Sequence, residues 1–306
     1  MVAPSIDVVL PVRARLGECP VWDDAADVLW WIDIDSRRLH RTDPLTGVDE
    51  VAELGGRPGS VVLTRDPGRL VAGVEHHVVD VDWPSGVTTR RVRAEDGARV
   101  TRLNDGRCDP RGRYWVGSMQ DPPESATFAG GLYRIDAATT PDAAGDALHV
   151  ELDSGVGITN GLAFAPDGRT MYWADTAKAT VWAYDYDLDT GRRSNERVFA
   201  SFDGTSAPGL PDGACVDADG CYWVACVTGS AVARLTPTGE LDRVIEVPMT
   251  MPTMPAFGGP DLSTMYVTSI GGDGDRASAR PDDPMAGALL AIDVGVVGLR
   301  EPRFAG

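Results

Sequence analysis

The sequence predicts an all-β chain folded as a six-bladed β-propeller of four-stranded blades, its ring closed by pairing of N- and C-terminal strands. Three observations lead there. A turn followed by a short apolar or aromatic strand occurs six times along the chain. Successive copies lie about 40 to 60 residues apart, the period of propeller blades. Gly (35) and Pro (22) supply many tight turns, and no long amphipathic helix or linker interrupts the series.

The six copies run Asp23–Asp33, Asp66–Val74, Asp109–Met119, Pro166–Thr176, Asp217–Val227 and Pro260–Ile270. Aromatic and β-branched residues between Gly, Pro and Asp turns mark them as strands. Hairpin partners start at Arg38, Gly131, Thr180 and Ala231, and the last of the series at Ala288. The segment from Ile6 has strand character but no repeat of its own. It is expected to pair with the C-terminal strands and close the ring, which removes the exposed sheet edges. A polar, turn-rich stretch at 271–284 reads as a mobile surface loop. The longest insertion, around 139–146, is expected between blades three and four.

A chain of 306 residues with 43% hydrophobic content can bury a substantial core. Length alone would suggest two domains, but closed all-β folds often run longer, so residues 1–306 are read as one domain. No apolar run is long enough to span a membrane. The first fifteen residues lack the pattern of a signal peptide. The net charge of -18 argues against nucleic acid and anionic membrane surfaces as partners. Five scattered cysteines without C-x-x-C spacing suit reduced, buried thiols, and a cytoplasmic location is expected. His76 and His77 are adjacent in a strand and point to opposite faces, so they make a poor joint ligand.

Function is carried by register. Glu18, Asn104, Asn160 and Asp212 each lie eight positions before the turn residue of their copy, namely Ala26, Gly112, Gly168 and Gly220. Ser60 and Met254 hold the same position in the remaining two copies. The innermost strand of each blade lines the central channel, so the six positions form one ring. Four of them offer hard oxygen donors and two are carboxylates, a set suited to one divalent cation. Taken singly, Asn104-Asp105-Gly106, Asn160-Gly161 and Asp212-Gly213 are ordinary turn sequences. Glu18 breaks that explanation, since Glu is not a favoured turn residue. Arg102 lies two residues before Asn104 and shares its face. Its guanidinium can hold a substrate hydroxyl or a developing negative charge, or it is a solvated surface group. Asp121 is placed at the channel mouth. The paired aromatics, such as Trp30–Trp31, read as blade core.

The segments LGECPVW (16–22), RLNDGRCDPRGRYWVGSM (102–119) and ITNGLAFAPDGRTMYWADT (158–176) resemble the gluconolactonase/regucalcin family. So do PDGACVDADGCYWVA (211–225) and AFGGPDLSTMYVTS (256–269). The similarity covers nearly the whole chain. It implies a six-bladed propeller with one divalent metal in its channel, and in many members hydrolysis of sugar lactones. It implies metal ligation by Glu18, Asn160 and Asp212, with Asn104 close to both metal and substrate. It assigns Arg102, Asn104 and the acid at Asp121 to substrate binding. Cys19 stands where the family commonly has Gly, and Met254-Pro255 also departs from its pattern. Both departures are expected near the cavity.

The expected reaction is metal-dependent hydrolysis of an aldonolactone to the open-chain sugar acid. The cation (Ca2+, Mn2+, Zn2+, Mg2+ or Fe2+) would polarise the lactone carbonyl. Asp212 is the candidate general base, and a metal-bound hydroxide is the alternative. Two other readings remain at this stage. One is a metal-dependent hydrolase of another ester or an organophosphate, with an apolar wall from Met254, Cys19 and nearby aromatics. The other is a non-catalytic calcium-binding propeller. The partner is a small molecule in the first two readings, and the sequence leaves the oligomeric state open.

Overall fold

The computed structural model describes residues 4–306 except 96, 98–99, 138–147, 205–206 and 272–282. The first strand, β1 (Ile6–Leu10), belongs to the last blade. Blade one is β2 (Gly17–Asp23), β3 (Val28–Asp33), β4 (Arg38–Asp43) and β5 (Val48–Glu53). Blade two is β6 (Pro58–Leu63), β7 (Arg69–Val74), β8 (His77–Asp82) and β9 (Val87–Arg93). Blade three is β10 (Thr101–Cys108), β11 (Tyr114–Gln120), β12 (Gly130–Ile135) and β13 (Leu148–Val156). Blade four is β14 (Thr159–Phe164), β15 (Thr170–Asp175), β16 (Thr180–Asp187) and β17 (Arg192–Ser201). Blade five is β18 (Pro211–Val216), β19 (Tyr222–Cys226), β20 (Ala231–Leu235) and β21 (Leu241–Glu246). Blade six is β22 (Pro252–Gly258), β23 (Thr264–Ser269) and β24 (Leu289–Asp293), completed by β1. Among the described residues no α-helix occurs.

The propeller is therefore six four-stranded antiparallel sheets, as the repeat predicts. The aromatic segments of the six copies are the second strands β3, β7, β11, β15, β19 and β23. Closure follows the expected route: β1 pairs antiparallel with β24, Ile6 facing Ile292 and Val8 facing Leu290. The insertion around 139–146 lies outside the described residues, but its place differs from expectation. β12 and β13 flank it and pair within blade three, Tyr133 opposite Val150, so it joins two strands of one blade. The loop expected at 271–284 likewise lies outside the described residues, apart from its ends.

Inner strands are buried along their whole length because neighbouring blades cover both faces. The core lies between blades. Trp31, Trp115 and Trp223 are almost fully buried, and Trp31 stacks on His40 with ring centroids 3.8 Å apart. Trp30 packs edge-on against Trp83. Outer strands are polar and solvated, as in β17 (RRSNERVFAS). All five cysteines are free and buried. The C-terminal segment crosses one end of the channel: Phe304 N–H donates to Leu63 O (2.7 Å), and Arg107 pairs with Glu301 (2.8 Å).

Candidate metal centre and substrate cavity

Each inner strand that carries a singled-out polar residue breaks its ladder near that residue. Glu18 faces Ile32, and the next paired residue is Val21. Asn160 faces Ala174, and the next pair starts at Ala163. The break falls between Leu103 and Gly106 in β10, and between Pro211 and Ala214 in β18. A bulge bends the strand and re-aims its side chains. Asn160-Gly161 and Asp212-Gly213 are therefore bulged strand residues, and the turn explanation for them falls. Gly161 has φ +62°, and a Cβ there would lie 2.2 Å from the Tyr222 hydroxyl oxygen. Tyr222 donates that hydroxyl to Gly161 O (2.8 Å), tying blade five to the strand that bears Asn160.

The inner strands of blades one, three, four and five bring Glu18, Asn104, Asn160 and Asp212 to line a single cavity of about 640 Å³. Arg102 and Asp121 line the same cavity. Ser60 and Met254 share the register but do not line it. Ser60 Oγ donates to Asn104 O (2.8 Å) and meets the Tyr114 hydroxyl (2.6 Å). Met254 packs where a side chain on Gly213 would stand.

A hydrogen-bond chain fixes the amides. Arg102 Nη1 donates to Asn104 Oδ1 (2.7 Å), and Asn104 Nδ2 donates to Thr159 O (2.8 Å) and Asn160 Oδ1 (3.2 Å). Asn160 Nδ2 donates to Thr176 Oγ1 (2.8 Å), whose hydroxyl donates to Pro211 O (2.7 Å), next to Asp212. Each amide oxygen thus accepts one bond of this chain and carries a second lone pair. Glu18 Oε2 accepts from Cys19 N–H (2.9 Å). At the mouth Asp121 accepts from Arg57 Nη2 (2.7 Å), which also donates to Glu75 (3.0 Å).

Electrostatics single out the two carboxylates of the ring. Burial pushes Glu18 well above the usual carboxylate range, and the nearby charges of Asp212 and Asp105 add to it. Burial and Asp105 raise Asp212 in the same direction. Asp105 is itself raised by burial, and its Oδ1 is buried without a hydrogen-bond partner. Buried carboxylates that repel one another, beside two amide oxygens with spare lone pairs, fit a hard divalent cation. Among the described residues there is no group of three or more His, Cys, Asp or Glu side chains able to hold a metal. A centre here draws on carboxylates and amides together.

Two expectations need correction. Cys19 and Met254 do not line this cavity. They border a small separate void with Gly106, Arg107 and Glu301, towards the plugged end of the channel. Cys19 has φ +46°, and its sulfur is held by the Val61 backbone, with N–H to Sγ 3.3 Å and Sγ to O 3.4 Å. The apolar wall is instead Leu16, Ile34, Ile158, Val227, Met251 and Ile270, with no aromatic side chain among the described lining residues. The ester or organophosphate reading thus loses the residues that suggested it. Sequence reasoning missed Thr176, Glu124, Arg57 and the buried Asp105. Arg57 is 64 residues from Asp121, and no local pattern links them. Asp105 stood within the quoted motif, but its charge drew no attention beside Asn104.

Residues 16–271 match the SMP-30/gluconolactonase/LRE-like region. The chain belongs to this family. Members of the family are similar to it end to end. The chain is 38% identical over 305 residues to 6-deoxy-6-sulfogluconolactonase of Pseudomonas putida, covering 99% of each. It is 38% identical over 311 residues to pentonolactonase of Haloferax volcanii, covering 98% of each. Its fold superposes with TM-score 0.88 on the calcium-binding protein regucalcin of Agrobacterium tumefaciens, at 28% identity, covering 100% of this chain and 98% of that one.

Proposed function

We propose that the protein hydrolyses a sugar lactone to the open-chain acid, using one divalent cation in the ring. One observation carries this: two buried, mutually repelling carboxylates and two oriented amides line one substrate-sized cavity. Relatives named as sugar lactonases over the full chain support the reaction class, and a structural relative named as calcium-binding supports the cation. Those names differ in the lactone, so the particular sugar does not follow from the family.

In this reading Glu18, Asn160 and Asp212 hold the cation. Asn104, whose oxygen already serves Arg102, completes the set from the side that faces substrate. When bound, the cation supplies Lewis-acid polarisation of the ester carbonyl, worth several kcal/mol in such reactions. Asp212 takes the proton of the attacking water. A carboxylate beside the cation can reach a water held there, and a metal-activated hydroxide is the alternative. Arg102 and Asn104 orient ring hydroxyls, and Asp121 holds a hydroxyl nearer the mouth. The aliphatic wall covers the CH face of the ring and excludes water from it. A cytoplasmic location remains our proposal on the five free thiols.

The test is lactone hydrolysis followed with a pH indicator. Glucono-, galactono-, xylono- and arabinonolactone are screened against their spontaneous rates, with the metal-supplemented protein. Turnover well above background for at least one is expected. A flat response across five- and six-membered rings would remove the lactonase reading.

A further inference from the structure

We infer that Asp105 is a positioning residue for the cation centre: its carboxylate clasps the bulge of the neighbouring blade and so holds Asn160 in place. The inference rests on the reading of the ring as a cation site. Asp105 itself is not among the described residues that line the cavity.

In blade three the ladder between β10 and β11 breaks between Leu103 and Gly106, which leaves Asn104 and Asp105 in the bulge. Asn104 lines the cavity, whereas Asp105 is buried at 4% exposure. In blade four the break after Asn160 leaves Gly161 and Leu162 out of register until Ala163. A residue in a bulge loses its ladder partner. Leu162 is fully buried, so its N–H needs an acceptor within the protein. Asp105 Oδ2 is that acceptor, at 2.8 Å and 57 residues away in sequence.

The clasp completes a frame around Asn160. Asn104 donates to its amide oxygen, and its amide nitrogen donates to Thr176. The Tyr222 hydroxyl holds Gly161 O, and Asp105 holds the next residue. The Asn104–Asp105 bulge is anchored in turn by blade two, through Ser60 Oγ on Asn104 O (2.8 Å). Without the carboxylate, the Leu162 N–H must turn towards another acceptor, and Gly161 and Asn160 turn with it. Stability of the fold gives little reason for an acid here, because Asp105 Oδ1 is buried without a hydrogen-bond partner. Groups that hold a ligand rather than the metal are worth about 10–100-fold in metal affinity.

The experiment measures Mn2+ affinity by calorimetry in the wild type, Asp105→Asn and Asp105→Leu. Both replacements keep the branched shape and both are neutral, so the lost charge near Glu18 and Asp212 is common to them. They differ in the acceptor, which Asn retains and Leu lacks. The Leu variant should bind about tenfold more weakly than the Asn variant. A clasp that served the fold alone would lower the melting temperature of the Leu variant without separating the two affinities. A second readout needs no variant, because coupling between the clasp and the cation is reciprocal. Hydrogen exchange of the Leu162 amide, read by mass spectrometry with electron-transfer fragmentation, should slow about fivefold or more on saturation with Mn2+. Equal affinities in the two folded variants, or Leu162 exchange unmoved by Mn2+, would overturn the inference and leave the cation site standing. Absence of one-site Mn2+ binding in the wild type would sink the cation reading and the inference together.

Discussion

Asp212 and Glu18 sit 7% and 9% exposed with their charges directed at one another and at Asp105. That arrangement is costly in the metal-free protein and favourable once a dication is bound. Two predictions follow from the sign. Glu18→Gln removes one of the repelling charges. It should raise the melting temperature of the chelator-treated protein by about 2–3 °C, yet weaken Mn2+ binding by at least tenfold. Scanning calorimetry and cation titration read the two effects separately, and a loss of both stability and affinity would show that Glu18 is held by other forces. The second concerns pH. Both groups have folded-state affinities for protons above those of an unfolded chain, so the folded metal-free protein binds the extra protons. Its stability contribution from them is full below the ordinary carboxylate range near pH 4 and is lost as pH rises through the raised values. Saturating divalent cation should flatten or reverse this slope between pH 5 and pH 8, roughly the span where folded proteins are most stable. At this scale Glu18, Arg102, Asn104, Asp121, Asn160 and Asp212 line the cavity, whereas Ser60, Cys19 and Met254 do not. The four ring residues were legible because a repeat turns sequence register into spatial position, Arg102 because it shares a face with Asn104, and Asp121 through the family resemblance. Arg57 was not, because its partner is set by the meeting of blades two and three.

A bulged inner strand is the element that makes the site. It converts what reads locally as Asn-Gly or Asp-Gly turns into side chains aimed at the axis, and its glycines let adjacent inner strands approach. Gly161 shows the requirement most clearly. With φ +62° and the Tyr222 hydroxyl 2.2 Å from a would-be Cβ, Gly161→Ala must move either the strand or the tyrosine. It should destabilise the fold by about 1–3 kcal/mol and displace Asn160, lowering cation affinity. Tyr222→Phe in the same chain removes the colliding oxygen and should recover part of both. Recovery of neither, in denaturant melts and cation titrations, would show that the backbone conformation alone is responsible. The second strands were legible from their aromatic residues, as in Tyr222–Cys226. The outermost strands were not, since β5, β9, β17 and β21 are mostly polar and solvated, with little alternation to read. The insertion was misplaced for the same reason: β13 gives no aromatic signal, so the third blade seemed to end early.

The whole molecule is a ring whose two ends differ. One end holds the cavity; the other is crossed by the C-terminal segment and plugged by the Arg107–Glu301 pair. Ring closure by β1 keeps the ends distinct, because it joins blade six to itself across the chain termini. Removing residues 4–11 should leave the β24 edge unpaired and yield a protein that associates or unfolds, as size-exclusion chromatography would show. A soluble monomeric variant with unchanged melting would mean that the three remaining strands of blade six suffice. The fold of the ring was legible because six copies of one pattern allow few other closed arrangements, while the plug is held by contacts between residues far apart in sequence, such as Arg107 with Glu301, 194 residues apart, and Phe304 with Leu63. We propose that lactone hydrolysis needs one divalent cation, held by Glu18, Asn160 and Asp212. The direct measurement is a titration of Mn2+ into protein stripped by chelation, following hydrolysis of its best lactone at each addition. Activity should be negligible at the start and rise to saturation with one cation bound per chain, with no recovery in Asp212→Asn at any concentration. Full activity in the stripped protein, or in Asp212→Asn, would contradict it.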